Sequence, residues 1–308
     1  MRDCVLGFEA DSRQAISRKA RSVCPTDTGA SRRALGRAAR DYRGAVLAYQ
    51  QRRADQRMRR MLDGRFTIEL LAGEVHEEDL AVVVCLWNRR ERLADVIRLL
   101  RDQRVDRHLR LVLWNNQPDD EAHYRRVIAE VGVGGALRSI EFRASPENIG
   151  GIGRFWAARK LRLAGYRGPF VMLDDDQDVE PDFIRSLLER AGERVIAGVW
   201  AYANHGSYWN RTDLADRERA DYVGTGGCVC DSEIVTDDAF FTDLPERYRF
   251  LEDIWMSFLA ARLGWRLEKA DLPVTFVLDE TNQNHTLAYI KDEFYAYLHH
   301  DHTGPTDA

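Results

Sequence analysis

From residue 80 onward the chain alternates short apolar runs with amphipathic stretches. Residues 80–87 form a β-branched apolar run of the kind buried on both faces of a parallel sheet. Leu93, Val96, Ile97 and Leu100 then recur at helical spacing; residues 109–114 read as a second strand and 124–131 as a second helix. Residues 137–142, 153–164, 169–173, 181–191 and 195–201 continue the series as strand, helix, strand, helix and strand. Strands alternating with helices at this spacing predict βαβ units and an α/β fold with a mostly parallel central sheet flanked by helices.

In open α/β sheets, ligands bind beyond the carboxyl ends of the strands. Four polar loops fall at that end: Asn88-Arg89-Arg90, Asn115-Asn116-Gln117-Pro118-Asp119-Asp120, Ser145-Pro146-Glu147-Asn148-Ile149-Gly150-Gly151, and Asp174-Asp175-Asp176. Their coincidence marks the end of the sheet where a site is expected.

Ahead of the sheet the pattern changes. Residues 1 to about 30 are polar and punctuated by Pro25, Thr26, Asp27 and Gly29, which predicts loose or partly helical chain. Over residues 31–62, Leu35, Ala38, Ala39, Tyr42, Val46 and Tyr49 recur at steps of three and four, with arginines on the other faces. Packing of this stripe against the α/β body is the plain reading. A basic surface for membrane lipids or an acidic partner is the sharper alternative. Nucleic acid is not an expected partner, because the arginines are not interleaved with aromatic stacking platforms.

Charge sharpens this division. Residues 1–65 carry fifteen arginines and one lysine against seven acids, a formal +9 within a chain of -5. A basic, mainly helical extension over 1–76 and a separate α/β domain over 77–308 are therefore expected. With 44% hydrophobic and 31% charged residues among 308, the composition is that of an ordinary folded protein. The longest apolar run, 80–87, is far short of the ~20 residues that cross a bilayer, and the first residues lack the apolar core of a secretory signal. The five cysteines are odd in number, and Cys228-x-Cys230 has neither zinc-site nor thioredoxin spacing. These features predict reduced thiols and a cytoplasmic protein, with the basic helix as a route to peripheral contact with the inner membrane face.

The chemistry concentrates after the 169–173 strand, which runs directly into Asp174-Asp175-Asp176-Gln177-Asp178. Adjacent carboxylates repel one another unless a cation neutralises them. In an extended segment Asp174 and Asp176 point one way and Asp175 the other. Hard oxygen ligands of this kind suit Mn²⁺ or Mg²⁺, which take one or two carboxylates together with substrate phosphate oxygens. A solvated acidic turn capping the next helix is the competing reading.

Four motifs in order resemble those of the family 2 glycosyltransferases, which have the GT-A (Rossmann-like) fold. Val82-Val83-Val84-Cys85-Leu86-Trp87-Asn88-Arg89 is similar to the family's first strand and its Tyr-Asn-Arg-type loop. Glu147-Asn148-Ile149-Gly150-Gly151-Ile152-Gly153 is similar to its Asn-x-Gly-rich helix start. Asp174-Asp175-Asp176, followed by Pro181-Asp182-Phe183, matches its Asp-x-Asp motif. Glu252-Asp253-Ile254-Trp255 through Arg262-Leu263-Gly264-Trp265-Arg266 resembles its Glu-Asp motif and the helix after it. Two positions depart from the pattern. Asn115 and Asn116 stand where such enzymes often carry an Asp that contacts the nucleoside, and Gly153-Arg154-Phe155-Trp156-Ala157-Ala158-Arg159 stands where Ala-Arg-Asn is usual. Arg154 and Arg159 suit either a phosphate or the surface.

The resemblance implies a nucleotide-sugar donor, with a UDP-sugar as the default and GDP- and dTDP-sugars open, and transfer to a hydroxyl acceptor. It implies a nucleotide-sugar-binding half over 77–200 and an acceptor-binding half with a C-terminal tail over 201–308. Asn88, Arg89, Asn115, Asn116, Asn148, Gly150, Asp174, Asp175, Gly226 and Gly227 are then expected around the donor. Asp174 and Asp176 would ligate Mn²⁺ or Mg²⁺, with His285 completing the set as a C-terminal His does in some GT-A enzymes. Asp253, or failing it Glu252, would take the acceptor's proton, and direct in-line displacement would invert the anomeric centre. Phe250-Leu251 and Ile254-Trp255 flank that pair with apolar residues that would raise a carboxyl pKa. The same acids equally suit the first turn of an ordinary helix.

Gly224-Thr225-Gly226-Gly227 suits either close approach of backbone to the donor or a plain turn. Residues 205–221, with Tyr208 and Trp209, read as a mobile loop closing over both substrates, and His299, His300 and His302 as solvated. The acceptor is a saccharide, a lipid carrier, a peptide or a small metabolite; fold alone does not choose among them. Two other functions compete. A nucleotidyltransferase wants a glycine-rich phosphate loop after the first strand, where Asn88-Arg89-Arg90 has none. A non-catalytic nucleotide-binding scaffold would act through the basic helix.

Overall fold

The computed structural model describes residues 29–277 and 287–300. The chain divides between Arg57 and Met58 into two units. The first is most of one helix, α1 (Gly29–Leu62). Its length follows from its many Ala, Arg, Gln and Leu residues, all strong helix formers. Among the described side chains of the predicted stripe, Tyr42 and Tyr49 are 72% and 61% exposed. The side chains of Leu35, Ala38 and Ala39, and everything expected of residues 1–28, lie outside the described residues.

The second unit runs in the order β1 (Glu69–Gly73), β2 (Leu80–Leu86), α2 (Leu93–Arg101), β3 (Leu109–Asn115), α3 (Glu121–Val131), β4 (Leu137–Ala144), α4 (Ile152–Leu163), β5 (Pro169–Asp174), β6 (Gln177–Val179) and α5 (Phe183–Leu188). It continues with β7 (Val195–Gly198), β8 (Ala201–Asn204), β9 (Arg211–Asp213), β10 (Tyr222–Val223), β11 (Cys228–Asp231), α6 (Ala239–Thr242), α7 (Glu252–Arg262), β12 (Arg266–Lys269), β13 (Val274–Phe276) and α8 (Ala288–His300). Eight strands pair in the order β1-β4-β3-β2-β5-β11-β7-β12. Strands β4, β3, β2 and β5 are parallel, and β11 lies antiparallel between β5 and β7. The fold is the expected mixed α/β sheet flanked by helices. It begins earlier than composition suggested, because β1 pairs antiparallel with β4 ahead of residue 77. That edge strand is short and half exposed, which leaves it little apolar signal to read.

The period-two alternation of the central strands builds two cores. Ala81, Val83, Val112, Trp114, Phe170 and Met172 face one side, with α4, α7 and α8. Leu80, Val82, Val84, Leu111, Leu113 and Val171 face the other, with α2, α3 and α5. Both faces are covered, as continuous apolar strands require.

The predicted 195–201 strand splits into β7 and β8, since the chain leaves the large sheet there for a small one of order β10-β8-β9. Residues 205–221 include a short strand: β9 pairs with β8, and Tyr208 is 3% exposed. Cys85, Cys228 and Cys230 are free thiols; Cys4 and Cys24 lie outside the described residues. Among those residues, no helix is long and apolar enough to cross a membrane.

Candidate active site

Strand β2 lies between β3 and β5. From it the chain winds outward to β3 and β4, then returns through α4 to β5 on the other side, a switch point where ligands are expected. The carboxyl ends of β2 and β5 meet there, with Cys85 paired to Asp174. Beyond them lies a cavity of about 720 Å³ lined by Arg89, Arg154, Asp174, Asp175, Asp176, Glu252 and Asp253, among others.

The acidic cluster is not the extended segment that alternation assumed. Strand β5 ends at Asp174, and Asp175-Asp176 form the tight turn into β6. The turn brings Asp175 and Asp176 to the same cation: Arg89 Nη1 lies 2.7 Å from Asp175 Oδ1, and Nη2 lies 2.9 Å from Asp176 Oδ2. The Trp87 N–H also donates to Asp175 Oδ2 at 3.3 Å. Asp174 is paired with a different cation, Arg154. Guanidinium groups thus supply the neutralisation that three adjacent carboxylates need. Burial still dominates for two of them, pushing the Asp175 and Asp176 carboxyls up to about 6.

The cluster can accept a divalent cation. Asp176 Oδ1 is buried and has no hydrogen-bond partner, the kind of orphaned acceptor that a bound group satisfies. Gly226 presses against Asp174: a Cβ there would sit 2.2 Å from Asp174 Oδ2, so only glycine leaves that oxygen its room. No group of three His, Cys, Asp or Glu among the described residues stands ready to enclose a metal. Two carboxylates completed by phosphate oxygens are an established arrangement for Mg²⁺-like ions. His285 lies outside the described residues.

Arg154 links this cluster to the second pair of acids. The surface alternative fails for both helix arginines, since Arg154 and Arg159 are 6% and 8% exposed. Helix α4 is buried nearly all round, so its arginines point into the protein. Arg159 donates to Leu62 O and Val235 O at 2.8 Å and pairs with Asp238, away from the cavity. Arg154 meets Asp174, and its Nη1 lies 3.2 Å from Thr225 Oγ1 and 3.4 Å from Glu252 Oε1. Burial works against the charged guanidinium, but the Asp174 and Glu252 carboxylates outweigh it and raise the Arg154 pKa.

Glu252 and Asp253 open α7. Glu252 is 6% exposed, and burial, reinforced by the neighbouring Asp253 charge, pushes its carboxyl up to about 8. Gly151 packs so closely that a Cβ would lie 1.6 Å from Glu252 Oε1. Asp253 is less buried and reaches the cavity wall. The Tyr222 hydroxyl donates to its Oδ2 and the Ile254 N–H to its Oδ1, the latter at 2.8 Å.

The structure brings Arg89, Asn116, Asn148, Gly150, Asp174, Asp175, Asp176, Gly226, Glu252 and Asp253 to one cavity wall. Asn88, Asn115 and Gly227 are not on it. Asn88 is exposed and in a left-handed conformation (φ 58°). Asn115 is fully buried and bonds within its own turn, with Oδ1 accepting from Gln117 N at 2.8 Å and Nδ2 donating to Gln117 O at 3.0 Å. Gly227 donates to Met172 O at 3.0 Å, holding the β5–β11 connection. Asn116 bridges loops on the wall, accepting from Ile149 N at 3.2 Å and donating to Gly150 O at 3.0 Å.

Of the aromatic half of the cavity lining, the sequence singles out Tyr208 and Trp209 but not Trp200, Tyr202, Tyr222 or Phe276. Trp200, Tyr202, Tyr208, Trp209, Tyr222 and Phe276 all line the cavity, as do Arg211 and Lys291. Trp200 stacks on Phe276 at 5.3 Å, and Tyr202 on Tyr222 at 6.3 Å. Their strands are short and scattered, so only the density of aromatics over 200–222 signals them.

No family model matches the chain, and no curated protein does. Among solved structures, it is similar to the mannosyltransferase PcManGT from Pyrobaculum calidifontis in complex with GDP-Man and Mn²⁺, with TM-score 0.54 and 13% identity over 89% of this chain and 76% of that one. Two structures of S. aureus TarS 1-349, one in complex with UDP, align with TM-score 0.42 and identities of 14% and 13% over 63% of this chain. The chain spans 58% of the length of the TarS structures. The mannosyltransferase likeness establishes a GT-A-like fold shared with a glycosyltransferase.

Proposed function

We propose that this protein is a metal-dependent glycosyltransferase that moves a sugar from a nucleotide-diphosphate sugar to an acceptor hydroxyl. The reading rests chiefly on one observation: the Asp174–Asp176 cluster at the switch point and the Glu252–Asp253 pair line the same cavity. Sugar transfer needs both ends, one to manage the charge of the departing diphosphate and one to take a proton. A UDP-sugar is the default donor from the sequence resemblance. The mannosyltransferase of shared fold carries GDP-Man and Mn²⁺, so GDP-sugars belong in the same screen.

Asp174 and Asp176 would hold Mn²⁺ or Mg²⁺, with His285 as a third ligand on the family pattern, and the bound ion would supply Lewis-acid neutralisation of the diphosphate. Arg89 and Arg154 position those carboxylates, while Asn116, Asn148 and Gly150 frame the donor wall. Asp253 is the base. It accepts the acceptor's hydroxyl proton as that oxygen bonds to the anomeric carbon and the bond from that carbon to the diphosphate oxygen breaks. Attack in line with departure inverts the anomeric configuration. Glu252, its carboxyl pushed up by burial, serves the site through Arg154 instead.

Calorimetric titration of UDP, GDP and dTDP, with Mn²⁺ and with EDTA, tests the reading on the wild type and on an Asp174→Ala/Asp176→Ala variant. Binding of one nucleotide that requires both the metal and the two aspartates is expected. Failure of all three to bind with metal present would sink it.

A further inference from the structure

The buried cations of this protein are treated in two different ways. Arg92, Arg154, Arg159 and Arg190 are each 9% exposed or less, and each meets a carboxylate: Asp178, Asp174, Asp238 and Asp216. Lys291 is equally buried, at 9% exposure, but among the described residues it has no carboxylate partner. Among the described residues its Nζ meets the Tyr208 hydroxyl, at 3.4 Å, and the faces of Tyr208 and Trp209, at 5.1 and 5.8 Å from their centroids. The neighbouring Asp292 does not compensate, because its Oδ1 accepts from the Trp209 N–H at 3.2 Å. A buried charge without a counter-ion is costly. Lys291 also sits in the first turn of α8, where the helix dipole disfavours a cation and favours an anion.

A second cation stands beside it. Arg211 lies over the rings of Tyr202, Tyr208 and Trp209 at 4.0, 5.0 and 5.4 Å, again with no carboxylate among the described residues. Both cations line the cavity that holds Asp253. They are tied to its base side, since Tyr208 stands edge-on to Tyr222 at 5.3 Å and Tyr222 donates to Asp253.

We infer that Lys291 and Arg211 form an acceptor subsite for an anionic saccharide, one bearing a phosphate or a carboxylate, with the ring lying on the aromatic wall. Pairing with that anion relieves the buried Lys291 charge, and aromatic faces suit a sugar ring while the cations fix its register. This deepens the glycosyltransferase reading and rests on it for the word acceptor, though the anion subsite itself does not.

Glucose, glucose 6-phosphate and glucuronate serve as probes, titrated by NMR into the full chain with UDP and Mn²⁺ present. Glucose 6-phosphate, glucuronate or both should bind at least tenfold tighter than glucose, and which of them does so identifies the anion. In Lys291→Met that preference should collapse to parity, and in Arg211→Gln it should shrink, while UDP–Mn²⁺ affinity stays unchanged in both. Equal affinity for all three probes, no saturable binding of either anion, or an intact preference in both variants would overturn the subsite. Weakened UDP binding in the variants would also overturn it, because the cations would then belong to the donor. If UDP never binds but the anion preference follows Lys291, the donor reading fails and the subsite survives.

Discussion

The Tyr222 hydroxyl donates a hydrogen bond to Oδ2 of Asp253. Tyr222 is 7% exposed and packed against Tyr202 and Tyr208, so its hydroxyl is fixed by the wall and in turn fixes the carboxylate. Burial, with the Asp253 charge beside it, raises the Tyr222 pKa well above that of a free phenol, and the hydroxyl remains a donor across any working pH. Tyr222→Phe keeps the ring and removes only the hydrogen bond. Such a bond to a charged group contributes about 1.5–3 kcal/mol. The kcat for transfer should fall roughly ten- to a hundredfold with nucleotide affinity unchanged, and Asp253→Asn should lose roughly 10²–10⁴-fold. Equal losses in kcat and nucleotide binding would instead make Tyr222 a structural residue of the donor pocket.

Stability should fall as pH rises through the neutral range, and Glu252 is the main reason. Its folded carboxyl is pushed up to about 8 from the ordinary glutamate value of 4.5. Between those values the native state holds a proton that the unfolded chain has released. The unfolded state therefore binds fewer protons, and unfolding free energy declines with increasing pH. Asp175 and Asp176, raised from 3.8 to about 6, add the same trend at its acid end. Glu252→Gln cannot titrate, so its melting temperature should flatten between pH 6 and 8 while that of the wild type declines. Parallel curves for the two proteins would remove Glu252 from this role.

At Gly226 packing alone makes the prediction. An added Cβ would lie 2.2 Å from Asp174 Oδ2 and 2.9 Å from Gln177 Nε2, and the glycine's φ is outside the left-handed region, so alanine brings no backbone strain. Gly226→Ala should push Asp174 aside and weaken metal-dependent nucleotide binding roughly ten- to a hundredfold, as loss of support around a ligand does. Overpacking should cost about 1–3 kcal/mol of stability. Unchanged binding in the presence of Mn²⁺ would mean that Asp174 Oδ2 has no part in holding the donor.

The framework of this molecule was legible because burial on both faces writes itself as continuous apolar runs: 80–87, 109–114 and 169–173 became β2, β3 and β5 with ends shifted by a residue. The polar loops beyond them led to the cavity for the same reason, since topology fixes which strand ends converge. What the sequence hid depends on tertiary partners. Nothing local distinguishes Asn115, spent inside its own turn, from Asn116, which reaches the wall. Arg154 was ambiguous until α4 proved buried on every side. The Asp175-Asp176 turn defeated the strand alternation assumed for the cluster, because β5 stops at Asp174, two residues earlier than that argument needed. Tyr222 and Lys291 come from a two-residue strand and a C-terminal helix, and only the fold brings them to the cavity that holds Asp253.

Arg154 is the hinge between the two acidic pairs, and removing it tests whether they act as one network. Its guanidinium meets Asp174 and Glu252 from a side chain 7% exposed, with Glu252's own side chain 8% exposed. Arg154→Met fills similar space but leaves both carboxyls without their counter-ion, and breaking a buried pair from one side typically costs about 3–5 kcal/mol. Glu252 can absorb part of that loss by keeping its proton to higher pH, whereas Asp174, its side chain 33% exposed, is partly hydrated already. The penalty should therefore grow from pH 6 to pH 9, as Glu252 is forced to ionise without Arg154. Adding Glu252→Gln to Arg154→Met should restore part of the stability at pH 9 and little at pH 6. Urea unfolding of the four proteins of this cycle at both pH values measures the coupling directly. Additive losses at pH 9 would show that Arg154 serves Asp174 alone and that the two acidic pairs are energetically separate.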